Sequence, residues 1–150
     1  MSEAGVEERR ICCLRVLGIK QVLQRILQEG IKMRIVQVGG LPTTVLPQHH
    51  EVFAREIWGT GTGGKNVTVL HNVMLAHGGA DMHTHPASEH IFYVLTGELK
   101  VSDGKQTVIL TAGQGLVIEA GEPHQVTGTG NMDCQYIAIT SPPVVWPGKS

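Results

Sequence analysis

Three histidines lie close together in the segment HTHPASEH, at positions 83, 85 and 90. Side chains alternate between the two faces of a β-strand, so His83 and His85 point the same way and can hold one ion together. Pro86 cannot donate to a strand ladder, which favours a turn and a new strand near Glu89. From that strand His90 can face back toward the first two imidazoles. Because imidazole binds zinc, copper, iron and nickel, the segment predicts a metal site.

The elements that must position these histidines are short strands. The chain contains 19 glycines, and such a content favours many tight turns. Asp103-Gly104 is a strong signal for a two-residue hairpin. Alternating or β-branched patterns predict strands at 33–38, 51–58, 67–75, 89–96, 98–102, 106–110, 115–119, 123–127 and 134–140.

Glycines also decide two other assignments. The segment GTGTGGKN at 59–66 comes close to a phosphate-binding loop, but Asn66 stands where Ser or Thr would hold magnesium. The residues after it alternate as in a strand, and a phosphate loop must lead into a helix. We therefore expect a glycine-rich hairpin at 59–66, and we expect the strand at 67–75 to end at His77-Gly78-Gly79.

The N-terminal residues have a different period from the rest. Apolar side chains recur at three- and four-residue steps between positions 7 and 28, which predicts an amphipathic α-helix that stops near Gly30. The sequence therefore divides into a helical arm, 1–32, and a β-domain, 33–150. The proline-rich segment at 141–150 is predicted to lie along the surface.

Composition excludes several classes of protein. A chain of 150 residues can form one core without crosslinks. The formal net charge is −1, so no basic field indicates nucleic acid or an acidic membrane as a partner. Three cysteines without a Cys-x-x-Cys pattern indicate buried thiols in a reducing compartment. Neither a signal peptide nor a run of ~18 apolar residues is present, so we expect a cytoplasmic protein.

At residues 77–128 the sequence resembles the cupin superfamily, and specifically its small single-domain members. The first cupin motif has the form G(X)5HXH(X)3,4E(X)6G, and this chain has HTHPASEH followed by IFYVLTG. The second motif has the form G(X)5PXG(X)2H(X)3N, and Gly113, Gly121 and His124 occupy its places. The sequence departs from the motifs at three places other than the metal ligands, namely His77, Glu119 and Gly128.

The resemblance implies an all-β fold, a double-stranded β-helix or jelly-roll barrel, and a ligand set. His90 stands where the family usually has glutamate, because it keeps the motif spacing both to His85 and to Gly97. Glu89 is the alternative ligand, since neighbouring residues of one regular strand cannot both face inward. The implied site is one divalent transition metal (Fe, Mn, Ni, Cu or Zn) bound by His83, His85, His90 and His124, similar to a four-histidine variant of small cupins.

The remaining side chains have more ordinary expected roles. Phe92 and Val94 share the face of His90 and are predicted to wall the cavity. Glu98 and Glu119 are predicted to lie at the surface or rim. The other histidines are interpreted as satisfied or exposed, with His71 lining the barrel if its strand has the right register; they are His49, His50, His71 and His77.

By resemblance, the leading functional hypothesis is a dioxygenase-like enzyme that cleaves a small diketone or flavonol, as quercetinase-like relatives do. The alternatives are non-oxidative metal chemistry, such as isomerisation, lyase action or polyketide-type cyclisation, and a non-catalytic cupin that binds metal or a small ligand. No residue is an obvious general base, which counts against non-oxidative chemistry. The expected partners are a small-molecule substrate and a second copy of the chain in a homodimer, with no nucleic acid and no membrane.

Overall fold

The structure is a computed structural model that describes residues 33–144 of the chain. Residues 37–144 belong to one compact unit. The helix expected at 7–28 and the tail at 145–150 lie outside the described residues, so the division into an arm and a β-domain stays a prediction. No helix in the described part of the chain has the length and apolarity that crossing a bilayer requires.

The all-β architecture expected from the sequence is confirmed. Strands and turns make up the described residues, apart from one short 3-10 turn at Val38–Gly40. The eight strands are β1 (His49–Trp58), β2 (Thr68–His83), β3 (Glu89–Thr96), β4 (Glu98–Ser102), β5 (Thr107–Thr111), β6 (Gly115–Ile118), β7 (His124–Thr127) and β8 (Cys134–Ser141).

One antiparallel sheet contains all the strands and curls into a barrel. Along it the order is β5-β4-β7-β2-β8-β3-β6, with β1 paired to β2 as well. The long strand β2 exchanges partners along its length, because Thr68 to Met74 pair with β8 whereas Gly79 to His83 pair with β7. The sheet path begins at β5 and ends at β6, so within residues 33–144 no ladder joins these two strands. A seam between β5 and β6 therefore runs along the barrel.

Alternation along the strands builds the barrel core. In β3 the buried residues are His90, Phe92 and Val94, while Glu89 and Tyr93 on the other face are exposed. β8 alternates in the same way, with its odd-numbered residues facing outward. The resulting core is apolar and continuous, and it includes Val52, Met74, Phe92, Val94, Leu99, Val101, Val126 and Tyr136.

Two strand predictions were wrong. Residues 33–37 have no regular structure. Glycines and prolines follow them, and the bridge between Thr44 and Ala54 joins that later segment to the sheet. The strand expected to stop at His77 continues to His83. A Cβ on Gly78 would lie 2.6 Å from the carbonyl oxygen of Glu51. Gly78 therefore serves a close approach of two strands, not a turn.

The predicted hairpins are confirmed. Residues 59–66 join the antiparallel strands β1 and β2, so the glycine-rich segment forms a hairpin connection. Gly104 has a φ of +89° in the turn between β4 and β5, a conformation that glycine adopts without strain. The side chain of Asp103 accepts hydrogen bonds from the backbone N–H groups of Lys105 and Gln106, which fixes this turn.

Candidate metal centre

Three separate parts of the sheet bring the four predicted histidines to one end of the barrel. His83 is the last residue of β2, and His85 follows it in the turn before β3. His90 is the second residue of β3, and His124 is the first of β7. Their ring centroids lie 4.5 Å apart for His83 and His124 and 5.2 Å apart for His85 and His90. Four imidazoles from distant parts of the sequence therefore form one cluster.

Backbone pairing fixes these positions. His83 and His124 are direct partners in the ladder between β2 and β7, so their side chains leave the sheet on the same face. The backbone N–H of Gly121 donates to the carbonyl of His85 at 3.0 Å, which ties the turn that carries His85 to the loop before β7. Gly121, a glycine of the second motif, thus helps to position His85, a predicted ligand from the first motif.

Hydrogen bonds also set which ring nitrogen each histidine presents. Nδ1 of His83 lies 2.6 Å from the carbonyl oxygen of Asp81, and Nδ1 of His124 lies 3.1 Å from that of Glu122. A carbonyl oxygen can only accept, so both Nδ1 atoms carry the proton and each ring has its lone pair on Nε2. Such partners orient metal-binding imidazoles in known sites.

Distances between ring nitrogens fit one ion. One nitrogen from each of His83, His85 and His124 can be chosen so that all three lie within 4.8 Å of one another. Nδ1 of His90 lies 3.2 Å from Nε2 of His124. Two nitrogens that bind one metal at ~2.1 Å are separated by about 3.0 to 3.4 Å, depending on the angle between them. Three histidines could therefore hold an ion, with His90 adjacent as a fourth donor.

The structure places the two alternatives for the fourth ligand on opposite faces of β3. His90 is 9% exposed and faces the barrel interior. Glu89 is exposed on the outer face. This orientation supports His90 over Glu89 as the additional donor, while its role as a ligand stays a prediction.

Burial keeps three of these imidazoles neutral. It lowers the pKa of His85 to about 4, with further lowering from the positive charges that His83 and His124 can carry. Burial also lowers the pKa of His90 well below its usual value, and it lowers the pKa of His124. A metal ligand must be deprotonated, so these three donors, neutral at pH 7, are ready to bind a cation.

An internal cavity of about 40 Å³ adjoins the cluster. His83, His85 and His90 line one end of it, and Leu70, Phe92 and Ala138 contribute apolar walls. Phe92 was predicted to wall the cavity, and its ring centroid lies 4.2 Å from that of His90. Val94 is fully buried on the same face, farther along the strand. None of the described residues that line this cavity is Lys, Arg, Asp or Glu.

A second, more open cavity of about 320 Å³ lies at the seam between β5 and β6. His124 forms part of its wall, so the histidine cluster lies between the two cavities. Three acidic side chains, Asp103, Glu119 and Glu122, line the seam cavity. Their charge disfavours an anionic ligand on this side of the cluster.

Sequence reasoning missed five polar residues of the internal cavity, namely His49, Thr68, Asn72, Tyr136 and Thr140. Asn72 and Tyr136 occupy inward positions of alternating strands, and a polar residue at such a position is a signal that could have been used. His49 had no such signal, because the pairing of β1 with β2 brings it there. The possible lining role of His71 is wrong, since its strand turns Asn72 inward and His71 outward. His50 and His77 are exposed.

Comparison with known proteins agrees with this geometry. Residues 71–140 match the protein family described as Cupin domain. An oxalate-binding protein from Thermotoga maritima is 33% identical over 58 residues, a segment that spans 39% of this chain and 48% of the relative. The chain thus matches about half the length of that curated relative.

Solved structures share the fold. The polyketide cyclase RemF from Streptomyces resistomycificus superimposes with a TM-score of 0.66 at 23% identity, over 79% of this chain and 87% of the cyclase. A predicted oxalate decarboxylase from Thermotoga maritima gives a TM-score of 0.65 at 20% identity, over 73% of this chain and all of that one. The family match and the shared double-stranded barrel together show that residues 71–140 form a cupin domain.

Proposed function

We propose that this protein is a metal-dependent enzyme that binds one divalent transition metal through His83, His85, His90 and His124 and acts on a small enolisable dicarbonyl compound. The observation that carries this proposal is the cluster of four imidazoles beside a buried cavity whose described lining has no Lys, Arg, Asp or Glu. When bound, the metal would supply Lewis acidity and, if redox-active, the means to activate dioxygen. The favoured reaction is oxidative cleavage of the substrate.

The protein residues favour an anionic oxygen ligand at the cluster. All four proposed donors are neutral imidazoles, so they leave the full charge of a divalent ion uncompensated. The internal cavity adds no charged side chain among its described lining. An enolate, whose oxygens share one negative charge, therefore finds a positive centre in an apolar enclosure. This arrangement favours deprotonation of a diketone bound there.

Cavity size favours a diketone over a flavonol. A volume of about 40 Å³ leaves room for roughly three water molecules. A flavonol has three rings and exceeds this space in the described conformation. The acidic seam cavity does not offer an anionic flavonol a better place.

The first experiment measures metal content by mass spectrometry on protein purified without a histidine tag or added metal. Oxygen uptake is then followed with acetylacetone, a diketone, and with quercetin, a flavonol. We expect near-stoichiometric iron, copper, manganese or nickel, and oxygen consumption with acetylacetone above that with quercetin. In such a cleavage both atoms of dioxygen enter the two products of C–C bond scission, which mass spectrometry with labelled oxygen detects.

Other outcomes lead to other conclusions. If the protein binds metal tightly but no small chelating ligand can bind to that metal, the protein is a non-catalytic binding protein. A catalytic metal needs open coordination positions for its substrate. A protein that takes up none of these metals contradicts the proposal altogether.

One observation favours non-oxidative chemistry as a second candidate. His49 lines the internal cavity, and its ring centroid lies 6.0 Å from that of His83. Its Nδ1 donates to the carbonyl of Pro47 at 2.8 Å, so the lone pair is on Nε2. An imidazole in this state beside a metal-polarised carbonyl can move a proton between carbon and oxygen.

Proton exchange in the absence of oxygen tests the role of His49, whereas oxygen uptake tests the oxidative reading. If His49 moves the proton, the metal-loaded protein exchanges the central protons of acetylacetone for deuterium under strictly anaerobic conditions, faster than free metal does. His49→Gln then slows the exchange by about 10²-fold. His50→Gln, at the exposed neighbouring histidine, is the matched control and leaves the rate unchanged. Equal rates for both variants contradict a role for His49.

A further inference from the structure

Asn72 and Tyr136 form a pair at the inner wall of the barrel. They are direct partners in the ladder between β2 and β8, so their side chains leave the sheet on the same face and lie side by side. Both are 2% exposed, and both line the internal cavity that contains three of the proposed metal ligands. Two strong hydrogen-bonding groups are thus buried next to each other in the wall of the cavity.

Neither side chain has a hydrogen-bond partner among residues 33–144. The amide of Asn72 offers donors and an acceptor, and the hydroxyl of Tyr136 offers one of each. The fully enclosed side-chain atoms without a partner in this part of the chain belong to Arg55, His71 and Thr129. The polar atoms of Asn72 and Tyr136 therefore keep access to the cavity that both residues line. Burial also raises the pKa of Tyr136, so the hydroxyl keeps its proton at neutral pH. The pair therefore faces the cavity with its hydrogen-bonding capacity unused by the protein.

Aromatic contacts connect this pair to the metal end of the cavity. The ring centroid of Phe92 lies 5.7 Å from that of Tyr136 and 4.2 Å from that of His90. Phe92 thus stands between the polar pair and the histidine cluster. A ligand whose oxygens bind at the histidine cluster can pass along Phe92 and reach Asn72 and Tyr136 with its far end.

The cavity also limits the charge of that far end. The described residues that line the cavity include no Lys or Arg, so a second carboxylate would be buried without a cationic partner. A neutral hydroxyl or ketone, in contrast, matches the donor and acceptor atoms of an amide and a phenol. The site therefore discriminates between a hydroxyl-bearing enolic ligand and a dicarboxylate that extends along the barrel.

We propose that Asn72 and Tyr136 are positioning residues that bind a neutral oxygen of the substrate at the end opposite the metal, and so select for single-ring or open-chain enolic ligands with a distal hydroxyl or ketone. This inference rests on the proposed metal-dependent function. The pair completes a cavity in which one end binds a chelating oxygen pair and the other end recognises a second polar group.

Two hydroxypyranones test this inference by calorimetry, because kojic acid and allomaltol share one chelating oxygen pair. They differ by a single hydroxyl, which kojic acid has on the one-carbon substituent opposite that pair, where allomaltol has a methyl group. The protein is loaded with the metal that mass spectrometry finds, or with zinc if it carries none. We expect kojic acid to bind about five- to tenfold more tightly than allomaltol, the gain from one or two hydrogen bonds to neutral groups.

Two variants then remove the polar groups while keeping the branched or aromatic shape of the side chain. Tyr136→Phe and Asn72→Leu should each bring the affinity for kojic acid down toward that for allomaltol, while allomaltol binding changes by less than about twofold. Tyr93→Phe is the matched control, since Tyr93 is 45% exposed on the outer face of β3, and it should keep the preference. If Asn72→Leu does not fold, Tyr136→Phe carries the test, because it keeps the ring and its contact with Phe92.

The outcomes separate this inference from the function on which it rests. Equal binding of the two compounds by the unmodified protein overturns the role of the pair and leaves the metal function standing. A preference that survives both substitutions also overturns it. If neither compound binds the metal-loaded protein, the result contradicts both the proposed metal site with open coordination positions and this inference.

Discussion

His90 decides the electrostatic character of the proposed metal site. A glutamate at this position would neutralise one of the two positive charges of the ion, whereas an imidazole neutralises none. The alternation of β3 turns His90 inward and Glu89 outward. With a glutamate at position 90 the site would tolerate neutral ligands. With His90 there, and the carboxylate one residue earlier at Glu89, the site attracts enolates.

We expect His90→Ala to lose more metal than Glu89→Ala, because His90 is buried beside His124 and Glu89 faces outward. His124→Ala and His83→Ala should lose most of the metal and weaken affinity by at least about tenfold, with the barrel still folded. Metal content by mass spectrometry and circular dichroism check both expectations. His77→Ala, at an exposed histidine, is the control. A larger loss with Glu89→Ala would return the site to three histidines and one glutamate.

The same neutral imidazoles predict acid sensitivity of the metal-free protein. The pKa of His85 is lowered to about 4 in the folded state, against about 6.5 when unfolded. Between these values the unfolded chain binds more protons, so the free energy of unfolding falls as the pH falls from about 6.5 to about 4. Below that window this group contributes no further loss.

Urea unfolding of metal-free protein between pH 8 and pH 4 measures this dependence. His85→Gln should make the decrease shallower, because the glutamine does not titrate. A wild-type free energy of unfolding that stays constant between pH 6.5 and pH 4 contradicts the prediction.

At the scale of elements, glycines at turns hold the short strands in register. Gly97 joins β3 to β4 with a φ of +77°, and a Cβ there would collide with the carbonyl oxygen of Asp133. Gly113 joins β5 to β6 with a φ of +86°, and a Cβ there meets nothing within 4 Å. The two glycines share the backbone conformation but differ in their surroundings. Substituting each of them therefore separates the cost of backbone strain from the cost of a steric clash.

We expect Gly113→Ala to lower the free energy of unfolding by about 1 kcal/mol, from backbone strain alone. Gly97→Ala should cost about 3 kcal/mol or more, because a collision with backbone adds to the same strain. Urea unfolding of both metal-free variants measures the difference. Equal losses would show that the loop carrying Asp133 moves aside at little cost.

The sequence predicted most strands and part of the site for identifiable reasons. His83 and His85 follow from two-residue spacing, and the inward face of His90 follows from the alternation of β3. The end of β2 could not be predicted, because Gly78 looks like a turn residue until Glu51 is known to pack against it. His49 likewise depends on the register between β1 and β2, a long-range pairing that local patterns do not encode.

At the scale of the whole molecule, the outer face of one side of the barrel is apolar. The register aligns Val117 of β6 with Ile91 of β3 and Ile139 of β8, and Tyr93 with Ile137. Val117 is 64% exposed and Tyr93 is 45% exposed. Contiguous exposed apolar surface of this kind is uncommon on monomers. A two-fold contact would bury the same patch on both copies.

We propose that the homodimer expected from the sequence forms through this face. Light scattering coupled to size-exclusion chromatography should give the mass of two chains for the wild type and of one chain for Val117→Lys. Ile109→Lys is the matched control, since Ile109 is 55% exposed on β5, outside this face, and it should stay dimeric. A monomeric wild type contradicts the proposal.

The seam between β5 and β6 has a kinetic consequence. A barrel that is unpaired along one line can widen by bending, without breaking any hydrogen bond of its ladders. Motions of this kind occur on microsecond to millisecond timescales. A substrate larger than the internal cavity would therefore wait for the barrel to widen, and its turnover would slow as solvent viscosity rises. Turnover of a substrate that fits the closed barrel would be limited by the chemical step, and its rate would not depend on solvent viscosity.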